Sequence, residues 1–238
     1  MLSKIKNSKV IKAVNRVSES NLIIILIILI VGLWILNPKF LSVINVTNLL
    51  RQTAIIGVLA IGMTFVILAG GIDLSVGSVL AFSSVVASKL MVAGFPIWLS
   101  ILIALLSGAL IGAIMGLLIH FGKVPAFIAT LGGMTIVRAL VMLVTRAEKV
   151  LGLPDAIGDF AIQRYLEIPA MVYVWFIAII IGFVVARFTT FGRNMYAIGS
   201  NEEAARLSGI KIGLSVCGIY AFSALMSSVA GILMTARL

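Results

Sequence analysis

L-A-G-G-I-D-L-S-V-G-S-V, at residues 68–79, is the stretch of sequence that decides how this chain folds. It is rich in glycine, carries Asp73, and interrupts an apolar run that otherwise extends over residues 53–92. In a bilayer, the backbone groups freed by such a break need partners, and an ionised carboxylate is costly unless it is paired or hydrated. We therefore expect the stretch to lie either at a membrane surface or beside a water-filled path inside a helical bundle.

The composition is that of an integral membrane protein. Hydrophobic residues make up 62% of the chain and charged residues 11%, whereas soluble domains carry about 25% charged residues. The mean hydropathy is +1.24. A net charge of +10 would fit nucleic-acid binding in a soluble protein, but the basic residues here stand at the ends of apolar segments, as orientation in a bilayer requires. We predict an all-α, polytopic membrane bundle surrounded by lipid, with no nucleic-acid partner.

Metal, cofactor and enzyme chemistry have little support in the sequence. The chain holds one histidine, His120, and one cysteine, Cys217, so it offers neither a disulfide framework nor a cluster of metal ligands. It also contains no G-x-x-x-x-G-K-[ST] phosphate loop. We expect no catalytic residues, no metal and no cofactor in this chain, and any ATP to be bound by a partner.

The apolar segments predict about seven transmembrane helices, with the glycine-rich break around residues 70–75 between the second and the third. The predicted spans are residues 22–36, 53–69, 76–92, 97–121, 125–144, 170–186 and 212–235. The basic residues 1–20 precede the first span, and no small-residue cleavage site follows it. We therefore expect an uncleaved, cytoplasmic N-terminus.

The distribution of lysine and arginine supports this orientation. With a cytoplasmic N-terminus, the outer side receives Lys39, Arg51, Arg146, Lys149 and Arg164, and the inner side receives the larger set Lys4, Lys6, Lys9, Lys12, Arg16, Lys123, Arg187, Arg193, Arg206 and Lys211. Inner loops are enriched in these residues. A single crossing of residues 53–92 would place residues 187–211 outside, so two crossings, with residues 70–75 near the inner side or re-entering from it, fit better.

Polar residues inside the spans are candidates for a translocation path. They are Gly70, Gly71, Asp73, Ser75, Ser78 and Arg138. Asp73 either only caps a helix that starts at Leu74 or lines a gate or substrate path. Arg138 lies inside the fifth predicted span, where its long side chain either reaches the outer surface or faces a polar interior.

A stripe of small residues marks the fourth predicted span. Gly108, Gly112 and Gly116 recur every four residues and so share one face of a helix. Such stripes let helix backbones approach closely in lipid, where packing drives association. We predict that this stripe serves helix packing.

Residues 187–211 form an inner loop with the signals of a short helix. Ser200 followed by Glu203 matches a capping box, and Gly209 is placed to end the helix. A helix of about two turns is marginal in water. Its face is predicted to expose Ala204, Ala205 and Leu207, which suits docking into a groove of a partner protein. A structured loop without a partner is the alternative.

The longest outer loop, residues 151–169, carries the charged residues Asp155, Asp159, Arg164 and Glu167. A loop of this length either contacts an external partner or is simply solvated. The sequence leaves both alternatives open.

Four segments together resemble a known family. They are N-P-K-F at residues 37–40, A-I-G-M-T-F-V-I-L-A-G-G-I-D-L-S-V-G-S at 60–78, P-A-F-I-A-T-L at 125–131, and G-R-N-M-Y-A-I-G-S-N-E-E-A-A-R-L-S-G-I at 192–210. In this order they resemble the permease subunits of ribose-type ATP-binding-cassette (ABC) sugar importers, from about residue 37 to the last residue. The resemblance implies import of a monosaccharide such as ribose across a bacterial inner membrane.

The same resemblance implies partners and the residues that meet them. The expected partners are a separate ABC ATPase, a second permease copy or homologue, and an extracytoplasmic sugar-binding protein. The inner loop is similar to the family's segment that docks on the ATPase, which implies ATPase coupling for Gly192, Arg193, Gly199, Ser200, Asn201, Glu202, Glu203, Ala204, Ala205, Arg206, Leu207 and Gly209.

Members of that family usually continue through further spans, including a second glycine-rich segment. We therefore expect residues 21–238 to be a permease domain that is truncated at its C-terminus relative to the family. Two alternatives to the importer remain open at this point. One is a secondary transporter driven by an ion gradient, which would use acidic or broken-helix sites at bilayer depth. The other is a partial subunit that assembles without conducting.

Overall fold

The computed structural model describes the backbone of residues 9–237 and the side chains of residues 21–237. The chain forms two compact units, Met1–Leu49 and Leu50–Leu238. In the first unit, helix α1 (Lys9–Leu36) is followed by a 3-10 helix (Pro38–Leu41) and by the start of α2. Asn37 caps the 3-10 helix, because its side chain accepts a hydrogen bond from the Lys39 N–H. Lys4 and Lys6 of the predicted basic N-terminus lie outside the described residues.

The second unit is almost entirely helical. Its elements are the rest of α2 (Val43–Leu68), α3 (Val76–Val92), α4 (Ile97–His120), α5 (Ala126–Thr145), α6 (Asp155–Ile162), β1 (Arg164–Tyr165), β2 (Ile168–Pro169), α7 (Ala170–Phe188), α8 (Thr190–Ser200), α9 (Glu202–Leu207) and α10 (Ile212–Arg237). The two short strands form one antiparallel hairpin. The all-α prediction is therefore confirmed for the described part of the chain.

Five described helices are long and apolar enough to cross a membrane, namely α2, α4, α5, α7 and α10. Two shorter apolar stretches, Asn21–Leu36 in α1 and Val76–Val92 in α3, account for the other predicted crossings. Seven is therefore an approximate count. From α3 onward, the predicted span boundaries lie within two residues of the helix boundaries.

Helix α2 begins earlier than predicted, at Val43 instead of Thr53. The polar residues of its first turns led to the late prediction. The helix tolerates them because they bond to its own backbone, as when the Thr47 hydroxyl donates to the Val43 carbonyl at 2.5 Å.

Helix α10 forms the centre of the second unit. In its most apolar stretch 56% of the residues are buried, against 22–33% in the four other long apolar helices. It packs against α4 and α3 through small residues. A Cβ atom on Gly112 would overlap the Tyr220 carbonyl oxygen, and one on Gly231 would overlap the Leu80 carbonyl oxygen. Close approach of the three backbones therefore depends on glycine at these positions.

The long loop between α5 and α7 is more ordered than a solvated loop. It contains α6, whose Ile157 and Ala161 are buried in the same hydrophobic cluster as Met171 and Ala236. The loop's length and charges did not predict this helix, although five of the eight residues of α6 are apolar.

Candidate functional site

The glycine-rich break is an ordered turn. Helix α2 ends at Leu68, and the N–H groups of Gly70 and Gly71 donate to the carbonyls of Ile67 and Val66, each at 2.9 Å. Gly70 has a φ of +80°, which side chains disfavour. Backbone groups released by the break thus find partners at the end of α2.

The Asp73 carboxylate accepts hydrogen bonds from the break itself and from α10. One carboxylate oxygen, Oδ1, accepts from the Ser75 N–H at 2.9 Å and from the Ser75 hydroxyl at 2.6 Å. The other oxygen, Oδ2, accepts from the Ser223 hydroxyl on α10 at 3.1 Å. Asp73 is 2% exposed. Each described polar contact of the carboxylate is therefore with an N–H or hydroxyl donor of the protein.

The prediction that Asp73 caps a helix starting at Leu74 is wrong. Helix α3 begins at Val76, and the flanking residue is Ser75. The reason is local: the Asp73 carboxylate turns back onto the N–H two residues later, which forms an Asx-type turn before the helix begins.

The buried Asp73 end of the break contacts the middle of α10. Ser223 follows Ile212 by eleven residues, which is about 16 Å along a helix at 1.5 Å per residue. The Ile72 carbonyl accepts long hydrogen bonds, 3.4 Å each, from Thr130 on α5 and Tyr220 on α10. Thus α2, α5 and α10 hold the break through hydrogen bonds, and its position relative to the membrane surface stays a prediction.

Further hydroxyl groups lie between α3 and α10, beyond the contact of Asp73 with Ser223. Ser83 donates to Ser228 at 2.8 Å, and Ser84 and Thr235 are hydrogen-bonded at 2.8 Å. In each pair the hydroxyl on α3 is hydrogen-bonded to one on α10, so these pairs join the two helices. The Ser78 hydroxyl, a path candidate, donates to the Ser75 carbonyl at 2.9 Å.

The structure does not bring the predicted path residues together. Asp73, Ser75 and Ser78 are buried, whereas Arg138 is exposed on α5. Gly70 is exposed and Gly71 half-buried at the turn itself. Among the described side chains, no carboxylate lies within salt-bridge distance of Arg138. The candidates therefore divide into three buried side chains, those of Asp73, Ser75 and Ser78, the two glycines of the turn, and the exposed cation Arg138.

Residues 187–211 form two helices where the sequence predicted one. Helix α8 begins after Thr189, whose side chain accepts from the Gly192 N–H at 3.1 Å, and it ends at Ser200. Helix α9 begins after Asn201, whose side chain accepts from the Ala204 N–H at 2.9 Å. The pair, residues 190–207, is called the α8–α9 segment.

The predicted capping box at Ser200 and Glu203 is therefore wrong. Asn201 has the extended backbone of an N-cap, with φ of −161° and ψ of 104°, while Ser200 is still helical. Glu203 instead accepts from Arg206 at 2.6 Å. This hydrogen bond and the negative charge of Glu203 raise the pKa of the Arg206 guanidinium.

Helix α9 ends at a glycine, as its sequence predicts. Gly209 has a φ of +83°, and its N–H donates to the Arg206 carbonyl at 3.0 Å. The next N–H, of Ile210, donates to the Ala205 carbonyl at 3.1 Å. A left-handed glycine with paired terminal carbonyls is a common helix end.

The predicted exposed face of α9 needs one correction. Ala205 is 4% exposed and packs with Ile198 of α8 and Ile212 of α10. Leu207 is 79% exposed, and Ala204 is also exposed. Ala205 is thus part of the contact that fastens α9 to the bundle, while Leu207 is free to contact another molecule.

The α8–α9 segment also touches the end of α2. A Cβ atom on Gly199 would overlap the carbonyl oxygen of Leu68 and would lie 3.1 Å from Cα of Ala69. The α8 backbone therefore lies directly against the residue where the glycine-rich break begins. Arg193 of α8 is exposed.

A cavity of about 700 Å³ lies beside α9, between it and the turn that joins α4 to α5. Charged and titratable side chains line it, namely His120, Lys123, Glu202, Glu203 and Arg206. The cavity is open to solvent, so the exposed face of α9 borders a polar groove.

Sequence reasoning missed the buried partners of the break. Thr130, Tyr220 and Ser223 lie in apolar spans, and nothing in the local sequence connects them to Asp73. A partial signal existed in α10, where Ser223, Ser227 and Ser228 mark one polar region of an otherwise apolar helix. Such a region predicts contact with another polar element inside the bundle.

Comparison with known proteins gives a consistent result. Residues 45–238 match the family described as branched-chain amino acid transport system / permease component. The chain is 45% identical to a ribose import permease protein of Bacillus subtilis, over 90% of this chain and 67% of that protein. It is 41% identical to the protein of the same name in Haemophilus influenzae, over 92% of this chain and 69% of that one.

A more distant relative carries a different sugar in its name. A xylose transport system permease protein of Escherichia coli is 32% identical, over 86% of this chain and 68% of that protein. No solved structure matches the chain significantly.

Proposed function

Since the chain belongs to the permease-component family of branched-chain amino acid transport systems, we propose that it is the membrane permease subunit of an ABC importer for a monosaccharide such as ribose. The observation that carries this proposal is the 45% identity to a ribose import permease over 90% of the chain. The family's description names amino acids, but the relatives at 45% and 41% identity are named for ribose. Sugar is therefore the better substrate class.

The importer takes its energy from a separate ABC ATPase that docks on the α8–α9 segment. Leu207, Glu202 and Arg206 are exposed there and offer an apolar residue flanked by charges. Ala205 and Gly199 fasten the segment to α10 and to the end of α2. Because the segment is packed on two helices, force applied to α9 reaches the bundle through direct contacts.

The translocation path runs along α5, against a second permease copy or homologue. Arg138 and Thr135 are exposed on an otherwise apolar helix. A guanidinium that faces lipid is unfavourable, whereas one that faces a hydrated path is not. Arg138 can also donate hydrogen bonds to the hydroxyl oxygens of a passing sugar.

The subunit lies in a bacterial inner membrane with its N-terminus in the cytoplasm. The excess of lysine and arginine on the α8–α9 side supports this orientation. An extracytoplasmic sugar-binding protein then delivers sugar at the opposite end, where α6 lies.

A gradient-driven carrier is the main competitor, and the environment of Asp73 argues against it. Such carriers place a carboxylate where an ion can reach it. The Asp73 carboxylate is buried and accepts three hydrogen bonds from protein donors. It is therefore committed to holding the break and α10 together.

Uptake into vesicles tests the proposal. The full chain is reconstituted with an ABC ATPase and a sugar-binding protein encoded beside it, and uptake of labelled ribose, xylose and leucine is measured. We expect ATP-dependent uptake of a pentose and none of leucine. Uptake driven by a proton or sodium gradient without nucleotide would contradict the importer, and leucine uptake would contradict the substrate class.

A further inference from the structure

Asp73 links two elements that are far apart in the chain. Its Oδ1 atom bonds within the break, to Ser75, and its Oδ2 atom bonds to Ser223 on α10. Asp73 is 2% exposed and Ser223 is 0% exposed. Because both side chains are buried, water does not compete for the hydrogen bond between them. The Asp73 carboxylate thus accepts hydrogen bonds from within the break and also joins the break to the middle of α10.

The other end of the break meets the α8–α9 segment. Gly199 of α8 lies against the carbonyl of Leu68 and the Cα of Ala69. The turn that follows is tied to α2 by the N–H groups of Gly70 and Gly71. A displacement of α8 therefore bears on backbone that is four to five residues from Asp73 and has little freedom to absorb it.

Helix α10 is also connected to the α8–α9 segment more directly. Ala205 of α9 packs with Ile212 at the start of α10, and residues 208–211 are the whole connection between the two helices. Movement of the segment thus reaches α10 in its first two turns, where Phe191 of α8 lies against Gly218, and through the break. Ser223, which is bonded to the break, lies about 16 Å along α10 from Ile212.

We infer that the hydrogen bond from Ser223 to Asp73 makes the middle of α10 follow the α8–α9 segment when the ATPase moves it. Asp73 is then a positioning residue for transport and does not line the sugar path. The inference rests on the proposed function. Without this bond Asp73 no longer holds the middle of α10 to the break, and ATP hydrolysis proceeds with less sugar moved per nucleotide. A contiguous set of packed contacts of this kind is what carries coupling between sites.

Two matched variants test the inference, because two hydroxyls donate to the same carboxylate. Ser223→Ala removes the donor on α10, and Ser75→Ala removes the donor within the break while its N–H bond to Asp73 remains. Both serines are buried, so both changes are of equal size in similar surroundings. The readout is labelled ribose imported per ATP hydrolysed, in vesicles that hold the permease, its ATPase and its binding protein.

The expected result is a difference between the two variants in coupling. Ser223→Ala should lower the ratio of ribose to ATP by roughly two- to tenfold, the size that one hydrogen bond supports, while Ser75→Ala lowers it less. Folded yield in detergent is measured for both. If Ser223→Ala folds poorly, Ser223→Cys takes its place, because cysteine keeps the side-chain volume and is a weaker donor. Its ratio of ribose to ATP should be lower than the ratios of the parent and of Ser75→Ala, but higher than that of a fully uncoupled protein.

Three outcomes separate the possibilities. A lowered ratio confined to the Ser223 variants supports the inference. Equal ratios for Ser223→Ala and Ser75→Ala, whatever their folded yields, overturn it, since a merely structural contact predicts equal effects on stability and none on coupling. A parent protein that imports no ribose with ATP overturns the proposed function itself.

Discussion

Gly112 of α4 lies so close to Tyr220 of α10 that a Cβ atom on the glycine would overlap the tyrosine carbonyl oxygen. Cβ of Ala224 would be 2.5 Å from the same added atom. Backbone atoms cannot move aside as the end of a flexible side chain can. The contact is therefore closed to every residue except glycine, and the separation of α4 from α10 depends on it.

Gly112→Ala is accordingly expected to destabilise the bundle. Overpacking a close contact costs about 1–3 kcal/mol, and the loss should appear as a lower midpoint of thermal unfolding in detergent. The matched control is Gly77→Ala in α3, where an added Cβ would have no neighbour within 4 Å. Equal unfolding midpoints for the two variants would contradict a packing role for Gly112.

Leu207→Arg is expected to weaken docking of the ATPase without unfolding the permease. Leu207 is 79% exposed on α9, so the change leaves the bundle intact but places a charge in the proposed contact. Affinity for the ATPase should fall at least about tenfold, or ~1.4 kcal/mol, in a pull-down or by surface plasmon resonance.

A second variant makes the docking experiment specific. Leu166→Arg introduces the same charge at another highly exposed leucine, in the β1–β2 turn at the other end of the bundle. It should bind the ATPase as the parent does. Ala205→Arg is a poor choice for this purpose, since Ala205 is buried against Ile198 and Ile212 and the change would disturb the segment itself. Equal binding by Leu207→Arg and Leu166→Arg would count against docking at α9.

Asn201→Ala is expected to loosen α9, and Ser200→Ala is not. The Asn201 side chain accepts from the Ala204 N–H, and a lost N-cap costs about 1 kcal/mol. Hydrogen exchange at residues 202–207 should therefore speed up roughly fivefold, the factor that about 1 kcal/mol allows. Faster exchange in Ser200→Ala than in Asn201→Ala would restore Ser200 as the cap.

Cysteine labelling tests the orientation. In a Cys217→Ala background, single cysteines replace Asp159, which lies in α6, and Asn201, which lies between α8 and α9. In intact cells the cysteine at position 159 should react with a membrane-impermeant maleimide, and the one at position 201 should react only after the membrane is opened. Reaction of both in intact cells would show that the two positions share one side, contrary to the predicted topology.

The sequence by itself determined the class of the protein, most of its helices and its family. Long apolar segments leave few alternatives to membrane helices, because an unpaired backbone is too costly in lipid. Gly209 likewise marked the end of α9, since a left-handed residue after a helix is most often glycine. These features depend on short-range properties of the chain, which a sequence displays directly.

Tertiary structure decided which residues meet across the bundle. The α10 partner of Asp73 is 150 residues away, and the serines of α10 do not show by themselves which of them contacts Asp73. Ala205 looked suited to an exposed docking face, yet it is buried because α8, which the sequence did not reveal, supplies Ile198 beside it. Ser200 lost the N-cap position to Asn201 for the same reason, since the chain is still helical at Ser200. Burial and hydrogen-bond partners depend on how helices pack, and packing is set by contacts between residues far apart in the sequence.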